Sequence, residues 1–170
     1  SLRPIWFGGK SQVKLTVLDA SSPESPTTIH ETFLDGSYIN SRMIDGQVYL
    51  IMNNSPRCPT PWLLAVEDGQ EGESPEHFKE RLAATDPTTF LPQFRSVDYT
   101  ESGVAERTGN VLVDCGGVYK TANDDWMNLT TVLSFDLDAD TIGGPLDSAT
   151  VFGYVNTVYA STQNLYLINQ

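Results

Sequence analysis

Positive charge is scarce in this 170-residue chain: 10 Lys and Arg stand against 22 Asp and Glu, a net charge of −12. A surface that acidic repels phosphate backbones and anionic headgroups, so no nucleic-acid partner is expected. Long apolar runs are missing as well. None exceeds five residues, as in Val48–Met52, far short of the roughly 20 a membrane helix needs, and membrane insertion is not expected. Histidine and cysteine are limited to two each. Two cysteines fit no zinc pattern. His30, on an outermost strand, and His77, on the exposed side of a short helix, read as surface residues rather than general bases. There is no Gly-x-Ser-x-Gly elbow. Gly8-Gly9-Lys10-Ser11 lacks the earlier glycine of a phosphate loop, because Pro4 stands in its place.

What the chain does have is punctuation and β-formers. Thirteen Gly and ten Pro separate short runs rich in β-branched and aromatic residues: Val13–Leu18, Ile29–Leu34, Val48–Met52, Val111–Val113, Thr130–Phe135, Ala149–Phe152, Thr157–Ala160 and Leu165–Ile168. Such runs read as strands. Val13-Lys14-Leu15-Thr16-Val17 alternates as a strand with one buried face should. Only Ser74–Ala84 reads as a helix, with Ser74 as cap, Pro75 at the first helical position, and Phe78 with Leu82 as an apolar stripe. The fold class is all-β with one short helix.

The chain also repeats. Displaced by 117 positions, residues 14–53 lie over 131–170 without a gap. The identities Asp19/Asp136, Gly36/Gly153, Tyr49/Tyr166, Leu50/Leu167 and Ile51/Ile168 fall at structural punctuation. Each copy reads as strand, turn, strand, Gly, strand, short turn, strand; one of the short turns is Asp45-Gly46, a hairpin signal. A four-stranded unit of about 40 residues is the signature of a β-propeller blade, which stacks on its neighbours because it cannot bury both faces alone. Residues 1–170 then form one propeller segment of about two blades' worth. Residues 13–34 supply an outer half-blade, 37–152 a full blade interrupted by an insertion at 54–130, and 154–169 an inner half-blade.

The stretch from Val17-Leu18-Asp19-Ala20-Ser21-Ser22-Pro23 through Gly36-Ser37-Tyr38 and Ser41-Arg42-Met43 resembles the secreted prokaryotic β-propeller-domain proteins, distant relatives of WD40 repeats. Thr130-Thr131-Val132-Leu133-Ser134-Phe135-Asp136 and Val158-Tyr159-Ala160 through Leu165-Tyr166-Leu167 fit the same family. The resemblance covers roughly half the chain. It implies an exported, secreted or cell-surface protein and carries over no catalytic residue. A complete propeller needs at least four blades, so this chain is expected either to be part of a longer protein or to complete itself by association. Half-blades leave sheet edges unpaired, and the pair at 154–169 of one copy would then join the pair at 13–34 of the next, head to tail. Three copies would give six blades and four copies eight.

Several residues are candidates for chemistry. Arg42, on the strand expected nearest the propeller axis, would meet an anionic ligand or pair with Asp35 or Asp45. Trp62 and Trp126, with other aromatics in or near the insertion, would form a platform for a glycan or protein ligand, or cover the propeller flank. Cys58 and Cys115 both lie in the insertion, and in an exported protein they suggest a disulfide closing it; two buried free thiols are the alternative. Asp136, Asp138 and Asp140 begin like a calcium loop, but Thr141 and Asp147 stand where Gly and Glu are required, so no metal or other cofactor is expected. The expected function is a non-catalytic extracellular module serving as a binding or scaffold platform. The alternative is a polysaccharide-acting enzyme with carboxylates at the channel mouth.

Overall fold

The computed structural model describes residues 11–56, 73–100, 103–107, 110–120, 128–137, 144–161 and 163–168. Gln12–Asp19 (β1) and Thr27–Asp35 (β2) form one antiparallel ribbon. Ser37–Ile44 (β3) and Gln47–Asn54 (β4) form the next. Asp45 and Gly46 join them at φ of 50° and 81°, left-handed values that suit the right-handed twist of a hairpin. After the helix come Phe94–Thr100 (β5), Gly103–Arg107 (β6) and Val118–Tyr119 (β7). Leu129–Asp136 (β8), Asp147–Phe152 (β9), Thr157–Ala160 (β10) and Leu165–Ile168 (β11) complete the described strands. They group into three sheets of order β1-β2-β5-β6, β3-β4-β8-β9-β7 and β10-β11.

The helix forms where its caps stand. It runs from Pro75 to Ala84 (α1), with the Ser74 hydroxyl accepting from the His77 amide at 3.2 Å and the Thr85 hydroxyl donating to the Arg81 carbonyl at 2.7 Å. It buries none of its residues fully. Arg81 is held instead by paired 2.8 Å bonds from Nε and Nη2 to Glu73.

The backbone repeats as the sequence does. Six consecutive partners, Gln12↔Asp35 to Val17↔His30, fall on Leu129↔Phe152 to Ser134↔Asp147 when displaced by 117 positions. Four more, Asn40↔Ile51 to Met43↔Val48, fall on Thr157↔Ile168 to Ala160↔Leu165. The junction glycines match too. Gly36 has φ 130° and donates to the Ser11 carbonyl at 2.8 Å; Gly153 has φ 135° and donates to the Asn128 carbonyl at 2.9 Å. Each glycine ends the second strand of one ribbon and sends the chain toward the next. An L side chain rarely adopts that φ, and a Cβ on Gly36 would meet the Asn53 carbonyl at 2.8 Å.

The core lies between the two larger sheets. Leu34 comes from β2, Leu50 and Met52 from β4, and Leu133 and Phe135 from β8; Leu112 closes the cluster from the insertion. Val13 and Leu15 of β1 and Phe94 of β5 pack against it. Full burial of side chains this size is worth about 1.5–3 kcal/mol each. Inside, the Asn54 amide bonds the Thr131 hydroxyl at 3.1 Å, and Thr131 bonds Thr150 at 2.8 Å, linking β4, β8 and β9 by side chains as well as backbone.

The insertion differs from its expected form. Val111–Val113 is no strand: Val111 makes a lone bridge to Gln93, and Leu112 and Val113 are buried in an irregular segment. The strands are β5 and β6, which add to β2 and extend the first sheet outward. β7 pairs in parallel with β9 of the second sheet. One insertion therefore covers the β2 edge of one sheet and the β9 edge of its neighbour. Edge coverage of this kind blocks unwanted strand addition.

On the outward face of the first sheet, Lys14 of β1 donates to Glu31 of β2 at 2.7 Å, and the Tyr99 hydroxyl of β5 donates to the other carboxylate oxygen at 2.9 Å. These bonds, the one from Lys14 foremost, hold the Glu31 carboxyl below its ordinary value of 4.5. A carboxylate held low stabilises the fold above its unfolded value, and that stabilisation fades as pH falls through the folded value. Glu31→Gln should therefore flatten the loss of denaturant midpoint between neutral pH and pH ~3 relative to the parent chain. Gly36→Ala should cost about 1–3 kcal/mol from backbone strain alone, lowering the melting midpoint by roughly 2–4 °C per kcal/mol. Gly153→Ala should behave the same way in thermal denaturation.

Candidate functional site

Among the described residues three groups of side chains bear most on chemistry: a sealed histidine, an exposed ledge on β3, and the β10–β11 ribbon. The histidine contradicts its sequence reading. His30 is 2 % exposed, not a surface residue. It shares the inward face of β2 with Thr32 and Leu34, two and four residues on, and β5 sets Asp98 directly opposite. Asp98 Oδ1 lies 2.6 Å from Nδ1, and the Thr32 hydroxyl lies 2.8 Å from Nε2. A carboxylate, an imidazole and a hydroxyl in line are the parts of a nucleophile-activating triad. Here Thr32 is fully buried, so its hydroxyl meets no substrate. The arrangement fastens the inserted strand to the repeat. The signal was available: Leu34 marks the buried face, and period-2 alternation puts His30 on it.

The ledge on β3 is exposed. Arg42 donates from Nη1 to Asn40 Oδ1 at 2.7 Å and to the Ser41 carbonyl at 2.9 Å. The expected pairing with Asp35 or Asp45 is replaced by these contacts. Asp35 instead accepts the Gln93 amide on Oδ2 at 3.0 Å, clamping the insertion to the end of β2. Tyr38 is 55 % exposed on the same strand, and its hydroxyl bonds Ser41 Oγ at 3.1 Å. Opposite Arg42 across the ribbon is Tyr49, whose hydroxyl donates to Gln47 at 3.0 Å. One face of the ledge thus presents a guanidinium held in place, with donors to spare, opposite the Tyr49 ring, while Tyr38 and Ser41 lie on the other face.

In the second copy the Arg42–Tyr49 pair becomes Tyr159–Tyr166. Their rings tilt against each other at 5.8 Å, beside an open groove of about 730 Å³ lined also by Ser161, Leu165, Leu167 and Ile168.

Other candidate positions resolve in part. Cys115 opens a short turn and is a free, exposed thiol, not a buried one; Cys58 lies outside the described residues. Trp62 and Trp126, which the platform reading needs, also lie outside them, as do Asp138 and Asp140. Asp136 ends β8, opposite Gln47 of β4. Its counterpart Asp19 ends β1 and accepts the Ser21 amide at 2.8 Å, which lowers the Asp19 pKa and marks it as a turn-former. Among the described residues no three His, Cys, Asp or Glu side chains gather as a metal site would require. No helix among them is long and apolar enough to cross a membrane.

His30→Leu should destabilise the chain by about 1–3 kcal/mol, because the Asp98 carboxylate keeps its desolvation cost and loses that partner. Adding Asp98→Leu should recover part of the loss, and equilibrium unfolding of the two single variants and the double variant gives the coupling directly.

Comparison with known proteins extends what the geometry says. A 50-residue stretch, 29% of this chain, is 42% identical to an uncharacterized protein of Methanocaldococcus jannaschii, MJ1554. The match covers 8% of that relative's length. No solved structure matches the chain. The model of the β-propeller domain family matches residues 4–170. With its strand-rich sheets and its repeated four-stranded pattern, the chain belongs to the β-propeller domain family.

Proposed function

We propose that this propeller segment is a non-catalytic, extracellular binding platform whose contact surface is the β3 ledge, and that it takes a glycan carrying a carboxylate. The β1–β2 ribbon is then the outer pair of one blade, β3-β4-β8-β9 a whole blade, and β10–β11 the inner pair of the next. Under that arrangement β3 is the strand nearest the axis.

The observation that carries the reading is the state of Arg42. Asn40 and Ser41 hold one guanidinium nitrogen and leave the side chain exposed. A cation so restrained loses less entropy when it meets a carboxylate, and its forked geometry suits two parallel bonds. Tyr49, directly opposite it across the ribbon, offers part of a flat apolar ring with a polar rim, which suits a sugar ring. In a chain of net charge −12, a pre-positioned arginine is also a selective feature: it attracts one anionic group while the surrounding surface repels dense polyanions. The sealing of His30 and Thr32 supports a binding role over hydrolysis.

Calorimetric titration with short uronic-acid oligosaccharides tests the proposal. A charge-assisted bond is worth about 1.5–3 kcal/mol, so Arg42→Ala should weaken binding roughly ten- to hundredfold. Tyr49→Ala should weaken it too, and raised salt should lower the affinity of the parent chain. Equal affinity in the parent chain and the Arg42→Ala variant, or no binding by a folded parent chain, overturns the assignment.

A further inference from the structure

We infer that β11 of one copy of this chain pairs with β1 of a second copy, in the register that β4 and β8 already show within the chain. The inference does not depend on the ledge or its ligand.

The described backbone contains two copies of the same two ribbons but only one of the joints between them. The β3–β4 ribbon joins the β8–β9 ribbon through eight pairs, Gln47↔Asp136 to Asn54↔Leu129. The 117-position displacement carries four pairs of β3–β4 onto β10–β11 and six pairs of β1–β2 onto β8–β9. The corresponding joint is therefore β11 against β1. Among the described strands it is not made: β1 pairs with β2 alone, and β10–β11 is a sheet by itself. A lone two-stranded ribbon is marginal in water.

Burial records the same vacancy. Leu50 is 4 % exposed and Ile51 is sealed, while Ile168, the counterpart of Ile51, is 44 % exposed. Phe135 is sealed, while its counterpart Leu18 is 49 % exposed. The register copied from β4·β8 sets Leu165 opposite Leu18, Tyr166 opposite Val17, Leu167 opposite Thr16 and Ile168 opposite Leu15. Apolar and β-branched side chains meet at every position, and no charge faces another. A second copy supplies the missing strand with that sequence in that order. The contact is head to tail, so it repeats, and it closes into a ring where the rotation allows.

The experiment uses the full chain with Cys58 and Cys115 replaced by Ser. Chains carrying Thr16→Cys are mixed with differently tagged chains carrying Leu167→Cys and oxidised gently. A covalent heterodimer is expected, because directly opposed residues bring their Cβ atoms near disulfide reach. Val17→Cys mixed with Leu167→Cys should give far less, because a one-residue slip turns the thiol to the other face. Light scattering on the unmodified chain should give a mass that rises with concentration or settles at a fixed multiple of one chain. A single-chain mass at about 100 μM, or equal crosslinking in both mixtures, overturns the proposal. Folding of each variant is checked by its β-sheet circular dichroism, and the mass of the unmodified chain tests the inference even where a variant misfolds.

Discussion

The pairing of β4 with β8 is the constraint on which the rest depends. It joins two ribbons, each with only half a sheet's worth of backbone partners, into one sheet, and it sets the face that meets the first sheet. Leu50 and Met52 point to that face from one side of the joint, and Leu133 and Phe135 from the other. A one-residue slip would turn all four outward, so the core and the register specify each other. The Asn54–Thr131–Thr150 bonds add a polar check at one end of the joint, since a slip would bury those groups without partners.

Much of this was legible before any coordinates. Gly36 and Gly153 stood in register because both occupy a backbone conformation that side chains avoid, and sequence reports that constraint directly. Asp45-Gly46 and Ser74-Pro75 were readable for the same reason: turn and cap chemistry is local. The inserted strands were not readable. In β5 the inward positions include Ser96 and Asp98, while Arg95, Val97 and Tyr99 alternate with them, so the apolar pattern that announces a strand is inverted. Val111–Val113 carried the opposite error: an apolar run whose burial comes from packing inside an irregular segment.

The site was less legible than the fold. His30 was misplaced because β2 was read as an outermost strand, which outweighed the alternation from Leu34; the strand that covers it, β5, comes from a remote part of the chain. Arg42 was expected to meet an anionic ligand or to pair with Asp35 or Asp45; within the chain it bonds Asn40 and the Ser41 carbonyl. Acids of opposite charge are the natural guess, yet Asp35 is engaged with the Gln93 backbone amide, and Asn40, two residues along the same strand, is the nearer acceptor. Local strand geometry outweighed net charge.

The insertion between β4 and β8 also imposes an order of events on the chain as it is made. In N-to-C emergence, β3 and β4 can zip at once, but the strand that β4 needs on its other side arrives some 80 residues later. At roughly 5–20 residues per second that is a delay of several seconds, during which a row of backbone donors and acceptors beside Leu50 and Ile51 stands open. Until Leu129–Asp136 has appeared, that row is open to strands of neighbouring chains.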